Sequence, residues 1–145
     1  MISERSPIRK LKALVVDDDE VQRTILKKIL KRYLNFEVVE AVNGEDALRA
    51  MRADRPDVVI LDVMMPVMDG FDVLSSVRAD PSLCSLPVIV SSAVTEKNQV
   101  LKLLTLKVDD YLVKPIRQDE VMDRLSPIID RLVQAQASHT VAGGP

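Results

Sequence analysis

The chain has few residues of several types, and each shortage excludes a class of function. Its 145 residues include one cysteine, Cys84, and one histidine, His139. A single cysteine excludes an intramolecular disulfide and a cysteine zinc cluster. A single histidine near the C-terminus, outside the expected folded part, excludes the usual nucleophilic triads. Any bound metal must therefore be a hard cation with oxygen ligands. With only four glycines, two of them near the C-terminus, a glycine-rich phosphate loop is also excluded.

Aromatic side chains, excess basic charge and long apolar runs are missing as well. Aromatics make up 3% of the chain, which is too few for stacking the bases of single-stranded nucleic acid. Twenty basic against 22 acidic residues give a formal net charge of −2, without the basic excess that phosphate binding requires. No run of about 18 uncharged apolar residues occurs, and the N-terminus has no apolar signal core. We therefore expect a cytoplasmic protein that binds neither nucleic acid nor membrane.

The length and hydrophobic content suit one domain. The chain is 47% hydrophobic, and domains cluster near about 100–150 residues. The first ten residues are polar and weakly basic, whereas the last ten carry no formal charge and end in Ala-Gly-Gly-Pro. We predict an N-terminal arm over 1–11, a folded domain over 12–134 and a flexible tail over 135–145.

Within this domain, apolar runs rich in β-branched residues alternate with segments of helical periodicity. The apolar runs are 13–16, 36–39, 58–61, 88–90 and 111–113, and the helical segments are 20–34, 45–53, 70–79, 96–106 and 117–134. Three runs are almost wholly apolar, which is typical of strands buried on both faces of a parallel sheet. Five alternating units predict a doubly wound α/β fold with right-handed crossovers. Pro127 interrupts the last helical segment and predicts a kink or a restart there.

Polar residues of particular types follow four of the five predicted strands. They are Asp17–Asp19 after the first strand, Asp62 after the third, Ser91 and Ser92 after the fourth, and Lys114 after the fifth. The carboxyl ends of parallel strands share one edge of the sheet, where ligands bind in open α/β folds. Each residue alone has an ordinary structural explanation, such as capping of the first helix by Asp19. Their joint placement at four strand ends favours a common site.

The residue types at that common site are those that bind a cation and an anionic group. Carboxylates within about 4 Å of each other repel by roughly 4 kcal/mol per pair at an effective dielectric constant of 20. They must share a proton or bind a cation, and Mg²⁺ suits a few carboxylates plus water. A cation beside Asp62 would neutralise an incoming phosphoryl group, with a positive charge from Lys114 and a hydroxyl from Ser92. A carboxylate is itself a nucleophile that forms aspartyl phosphates.

With these motifs in order, the chain resembles the receiver domain of two-component response regulators. The resemblance runs from about residue 12 to residue 132 and is carried by the segments 14–19, 62–70, 88–93 and 110–115. It implies a flavodoxin-like, five-stranded parallel sheet of order 2-1-3-4-5 with five helices. It also implies a phosphoacceptor switch rather than an enzyme, which catalyses only its own phosphorylation and dephosphorylation. The phosphoryl group would come from a sensor histidine kinase or a phosphotransfer protein.

The same resemblance implies a role for each residue of the acidic pocket. Asp62 would be the phosphoacceptor and also a ligand of Mg²⁺. Asp17 and Asp18 would form the acidic pocket for the ion, with Asp18 as the direct ligand. The backbone carbonyl of Met64 would complete the protein ligands.

Roles for the switch residues follow from the resemblance too. Ser92 would be the switch hydroxyl that bonds the phosphoryl group, and Lys114 would pair with that group. The peptide bond from Lys114 to Pro115 would be cis, as it is in the family. Tyr111 would be the switch aromatic residue, which moves inward when Ser92 engages the phosphoryl group.

The chain departs from the family pattern at two places. Lys107 and Val108 stand where the family often has Gly-Ala before the fifth strand, so that turn is expected to differ in shape. Met64 and Val94 occupy positions next to the phosphoryl group that frequently hold polar residues. Because those positions influence access of the hydrolytic water, we expect slow-to-moderate self-dephosphorylation.

In the resembling family, output passes through the fourth helix, the fifth strand and the fifth helix. An apolar stripe on the fourth helix is predicted to face the sheet. It consists of Val100, Leu101, Leu104 and Val108. If that stripe faces the sheet, Leu103 and Leu106 are exposed on the face that the family uses for partners. We therefore expect these two leucines to form a docking surface for a downstream protein target or a second copy of the chain.

Several other functions are compatible with parts of the pattern. The leading interpretation is a stand-alone receiver, and a variant of it is a receiver excised from a longer regulator with a separate output domain. A phosphatase of the haloacid dehalogenase type also uses an aspartyl phosphate and Mg²⁺, but it needs further acidic ligands and a larger chain. An unphosphorylated pseudo-receiver is a third alternative, against which the complete set of site residues argues.

Overall fold

The computed structural model describes residues 9–93 and 97–142, and within them five strands alternate with five helices. The strands are β1 (Lys12–Val16), β2 (Glu37–Ala41), β3 (Val58–Asp62), β4 (Val88–Ala93) and β5 (Asp110–Lys114). The helices are α1 (Glu20–Leu34), α2 (Gly44–Ala53), α3 (Gly70–Ala79), α4 (Lys97–Leu104) and α5 (Gln118–Ala142). The predicted alternation of strands and helices is therefore confirmed.

The five strands form one parallel sheet in the order β2-β1-β3-β4-β5. This is the doubly wound, flavodoxin-like order, so the predicted fold class is confirmed. Every residue of β3, the central strand, is buried, because helices cover both faces of the sheet. Among the described residues, no helix is long and apolar enough to span a bilayer.

Two hydrophobic cores lie on opposite faces of the sheet. Alternate side chains of a strand point to opposite faces, so Leu14 and Val16 enter one core while Ala13 and Val15 enter the other. The first core is closed by α2, α3 and α4, and the second by α1 and α5. The sheet is therefore held rigidly from both sides, and its strand ends are fixed relative to one another.

Side-chain caps start the helices just beyond the strand ends. Asp19 caps α1, as predicted, and accepts a hydrogen bond of 2.9 Å from the backbone N–H of Val21. Asn43 caps α2 in the same way. At α3, Asp69 and Asp72 form a reciprocal capping box.

Helix α5 is longer than predicted and is continuous through Pro127. It runs to Ala142, whereas the helix was expected to end at 134 and a flexible tail to begin at 135. Residues 135–142, which the sequence assigned to the tail, continue α5, because lack of charge does not prevent a helix and the Ala- and Gln-rich segment 134–137 has high helix propensity. At the proline, the Ser126 hydroxyl donates 2.9 Å to the carbonyl of Met122 on the previous turn. Buried residues on both sides of Pro127 hold the helix against the sheet, and no restart occurs.

The predicted exposure of Leu103 and Leu106 on the docking surface is wrong. Leu103 is only 1% exposed and lies in the core, and Leu106 is partly buried against it. Instead, Leu101 and Leu104 are exposed, at 61% and 51%. The predicted stripe extended to Val108, whereas α4 ends at Leu104 and a turn follows, so the stripe had the wrong phase.

The turn after α4 is shaped by Lys107 and by an arginine of α3. Lys107 has a φ of 60°, in the left-handed region where glycine is favoured. Arg78 donates hydrogen bonds to the carbonyls of Leu106 (2.8 Å) and Lys107 (2.6 Å). It also donates to the carbonyls of Cys84 (3.0 Å) and Leu86 (2.8 Å) in the loop before β4. One guanidinium therefore joins two loops, and Lys107 adopts a backbone conformation that glycine favours.

Candidate functional site

Four predicted site residues meet at the carboxyl edge of the sheet. Asp62 is the last residue of β3, Lys114 is the last of β5, Ser92 is the penultimate residue of β4, and Asp17 directly follows β1. The strand register places Asp62 opposite Ser91. Residues up to 97 positions apart in sequence are thus brought to one edge, as the strand-end pattern predicted.

Three carboxylates form the acidic part of this site. Asp17, Asp18 and Asp62 each offer an oxygen, and the three oxygens lie within 4.8 Å of one another. Asp17 and Asp62 are only 1% and 2% exposed, whereas Asp18 is exposed to solvent. Backbone N–H groups support the two buried carboxylates: that of Asp19 donates 2.9 Å to Asp17 Oδ1, and that of Met64 donates 3.3 Å to Asp62 Oδ1.

A single ammonium group lies between the two buried carboxylates. Lys114 Nζ is 3.1 Å from Asp62 Oδ1 and 3.2 Å from Asp17 Oδ2. Burial lowers the pKa of Lys114, but the charges of Asp62 and Asp17 and the hydrogen bonds to them outweigh it, so its pKa is raised. Lys114 is therefore a fixed positive charge at this edge of the sheet.

One ammonium does not fully compensate the charge of two buried carboxylates, and the pKa of Asp62 shows this. Burial, together with the neighbouring charge of Asp17, raises the pKa of Asp62 to about 7, although Lys114 and the N–H of Met64 act in the opposite direction. A further positive charge beside these oxygens would stabilise the ionised form of Asp62.

The donor set fits a hard divalent cation. Its side-chain donors are carboxylate oxygens, with no thiolate or imidazole among the three clustered residues. Mg²⁺ binds through a few carboxylates and retains waters, and the exposure of Asp18 leaves the cluster open to solvent on one side. The three acidic groups and the excess of buried negative charge therefore satisfy the requirements of a magnesium site.

The other predicted site residues are placed as follows. Ser92 is 2% exposed at the end of β4, and the Lys114–Pro115 peptide bond is cis, as expected. Tyr111 is 39% exposed, so its ring points outward in this structure. The side chain of Met64 is half exposed beside the acidic cluster, and Val94 lies outside the described residues.

Gly70 supports the site although no role was predicted for it. A Cβ at this position would lie 2.8 Å from the backbone oxygen of Asp62 and 2.9 Å from the Cα of Val63, which is too close for any side chain. The N–H of Gly70 donates 2.9 Å to the carbonyl of Val63. The start of α3 is thereby packed directly against the backbone of the central aspartate. The sequence signal was present in the Asp69-Gly70 pair that ends the segment 62–70.

The loop between Asp62 and α3 contains a strained residue. Val67 has a φ of 68° and its side chain is fully exposed. The N–H of Met68 donates 2.8 Å to the carbonyl of Pro66, which closes a three-residue γ-turn around Val67. A β-branched residue is costly in this conformation. Nothing in the residue pattern had indicated the strain.

Fold and site together define a flavodoxin-like domain with a carboxylate–lysine centre at its strand ends. A family model described as the response regulator receiver domain matches residues 13–126. The chain belongs to this family, which confirms the resemblance seen in its motifs. Receiver domains are phosphoacceptor switches rather than enzymes in the ordinary sense, and the receiver assignment leaves the haloacid dehalogenase alternative without support.

Similar proteins agree with this assignment. The transcriptional regulatory protein PrrA of Mycobacterium tuberculosis is 38% identical over 136 residues, which cover 92% of this chain and 57% of PrrA. A putative response regulator of Chloroflexus aurantiacus has a crystal structure with a TM-score of 0.79 and 30% identity, covering 84% of this chain and 99% of that one. This chain spans about half the length of the curated relatives it matches.

One solved neighbour shows a metal in the corresponding kind of site. The receiver domain of the sensor histidine kinase PA1611 from Pseudomonas aeruginosa was crystallised with a magnesium ion coordinated in its active-site cleft. It is 27% identical, with a TM-score of 0.76, and the alignment covers 84% of this chain and 99% of that one. Receiver domains thus bind Mg²⁺ in the active site, and this chain has a cluster of three carboxylates at its strand ends that could hold a metal ion.

Proposed function

We propose that this chain accepts a phosphoryl group on Asp62 from a sensor histidine kinase or a phosphotransfer protein. Asp17, Asp18, Asp62 and the backbone carbonyl of Met64 would hold Mg²⁺. One observation carries the proposal: two buried carboxylates share a single ammonium, with the exposed carboxylate of Asp18 beside them. Such a site favours the arrival of positive charge, which would keep Asp62 ionised and able to act as a nucleophile.

In the transfer, an oxygen of Asp62 forms a bond to phosphorus while the donor's nitrogen–phosphorus bond breaks. The electron pair of that bond leaves with the donor imidazole, and an aspartyl phosphate remains. Bound Mg²⁺ supplies positive charge that offsets the carboxylates and the phosphoryl oxygens. The ammonium of Lys114 lies 3.1 Å from Asp62 Oδ1. After the transfer it would pair with a phosphoryl oxygen instead, because the ionised carboxylate of Asp62 has become part of an acyl phosphate.

Ser92 and Tyr111 would transmit the modification to the surface. The buried hydroxyl of Ser92 stands on the strand next to Asp62 and would donate to a phosphoryl oxygen. Tyr111 lies on the following strand, where it would follow Ser92 inward. The output surface would then be the face of α4, β5 and α5. Leu101 and Leu104 are its exposed apolar side chains in place of Leu103 and Leu106.

Intact mass measurement tests the phosphoacceptor directly. The purified chain is incubated with Mg²⁺ and phosphoramidate, a small donor with a nitrogen–phosphorus bond, and its mass is recorded. We expect one phosphoryl adduct that is absent in Asp62→Asn and when EDTA replaces Mg²⁺. Asp69→Asn, which alters a partly buried helix cap seven residues away, should still form the adduct. An adduct that persists in Asp62→Asn, or the absence of any adduct on the native chain, would contradict the proposal.

A further inference from the structure

The ring of Tyr111 is in contact with an arginine of α5. The guanidinium carbon of Arg124 lies 5.6 Å from the centre of the Tyr111 ring, within the range of a cation–π interaction. Arg124 Nη1 is 3.6 Å from Asp110 Oδ1, on the residue that precedes Tyr111 in β5. Its Nε is buried and has no hydrogen-bond partner in the described part of the chain. The ring and Asp110 therefore hold the guanidinium in place.

The position of this contact separates Tyr111 from Ser92. Tyr111 pairs with Val90 of β4, and Val113 pairs with Ser92, so Tyr111 and Ser92 lie on the same face of the sheet, one diagonal step apart. Helix α5 covers the opposite face. Arg124 therefore reaches from that helix around the edge strand β5 to contact the ring. While the contact persists, it favours the exposed position of the ring over one beside Ser92.

We propose that Arg124 is a positioning residue that holds Tyr111 outward and so sets how readily the domain switches. This inference rests on the proposed function, in which Tyr111 moves inward when Ser92 engages the phosphoryl group. The contact is partly exposed, since Arg124 and Tyr111 are each a little over one third exposed. Loss of a cation–π contact of this kind should shift the equilibrium between outward and inward rings by about two- to fivefold.

The inference can be tested by fluorine NMR of 3-fluorotyrosine incorporated into the protein. The chain has two tyrosines, so a Tyr33→Phe background leaves the signal of Tyr111 alone. Spectra are recorded without ligand and during titration with beryllofluoride in the presence of Mg²⁺. In Arg124→Gln, we expect the unliganded signal to move toward its loaded position. Half-saturation should then occur at about two- to fivefold lower beryllofluoride.

Two further variants separate the ring contact from general effects of charge. Arg124→Lys keeps a cation near the ring and should restore most of the outward signal. Arg131→Gln removes an arginine from the same helix that pairs with Asp109 at 3.2 Å, and it should leave both the signal and the titration unchanged. Far-UV circular dichroism confirms that each variant is folded.

The possible failures are distinguishable. If the native signal does not move when beryllofluoride binds, the proposed switching of Tyr111 fails, and the role of Arg124 fails with it. If the native signal moves but Arg124→Gln gives the native spectrum and titration, only the inference about Arg124 is overturned. An equal shift in Arg131→Gln would also overturn it, because the effect would then be one of helix charge.

Discussion

Replacing Asp62 by asparagine should stabilise the metal-free protein, and the gain should grow with pH. The pKa of Asp62 is about 7 in the folded chain, against an ordinary value of 3.8. Because the folded pKa is raised, the stability linked to the protonated carboxyl is fully present below pH 3.8. It is lost as the pH rises through about 7. Asparagine does not ionise, so the variant avoids that loss.

The size of the effect follows from the two pKa values. At about 1.4 kcal/mol per pH unit, the native protein should lose about 2 kcal/mol relative to Asp62→Asn by pH 5 and about 4 kcal/mol by pH 8.5. The pKa of about 7 already includes the attraction of Lys114, so what remains is the difference between asparagine and a protonated carboxyl beside Lys114. That difference is about the same at both pH values, because Lys114 stays protonated. The difference between native chain and variant should therefore change by about 2–3 kcal/mol between pH 5 and pH 8.5.

Urea unfolding followed by circular dichroism measures this difference in buffers that contain EDTA. The slope of the free energy against urea should be unchanged between native chain and variant, so that the midpoints report stability alone. Asp18→Asn is the matched control, since it removes the same charge from the same cluster but at an exposed side chain, and its effect should be much smaller. Mg²⁺ should stabilise the native chain more than Asp62→Asn, because the variant lacks one ligand. A gain that is the same at pH 5 and pH 8.5, or a less stable variant at pH 8.5, would refute the reasoning.

Three other outcomes are expected. Val67→Gly should raise the free energy of unfolding by about 1 kcal/mol, because glycine accepts a positive φ without strain; a lower urea midpoint would contradict the strain. Arg78→Gln should lower the free energy of unfolding by about 2–4 kcal/mol, since a shorter neutral group cannot reach all four carbonyls. A change below about 0.5 kcal/mol would show that water replaces the guanidinium. Met64→Asn combined with Val94→Glu should shorten the half-life of the phosphorylated chain, measured by decay of the intact-mass adduct; an unchanged half-life would rule out control of water access by these positions.

The parts of the fold that depend on short-range patterns could be predicted from the sequence. The uninterrupted apolar run that forms β3 predicts a strand covered on both faces. The polar residues directly after such strands must then meet at one edge. For this reason the sequence alone predicts that Asp17, Asp62 and Lys114 lie in one site. Their close contacts then follow from the parallel register.

The errors arose where long-range contacts decide the local structure. Helix α4 ends at Leu104, and Arg78, 26 residues earlier in the chain, bonds the turn that follows, so periodicity alone set the wrong phase for Leu103. Lys107 adopts a glycine-like conformation that its own side chain does not indicate. The contact between Arg124 and Tyr111 joins a helix to an edge strand and has no signature in either segment.

Mapping of the phosphoryl group tests the central claim most directly. The chain is incubated with Mg²⁺ and phosphoramidate, digested under acidic conditions that preserve acyl phosphates, and the peptides are sequenced by tandem mass spectrometry. We expect one modified peptide with the phosphoryl group on Asp62, and its loss on treatment with hydroxylamine, which cleaves acyl phosphates. A hydroxylamine-stable modification, or a phosphoryl group on any residue other than Asp62, would contradict the account.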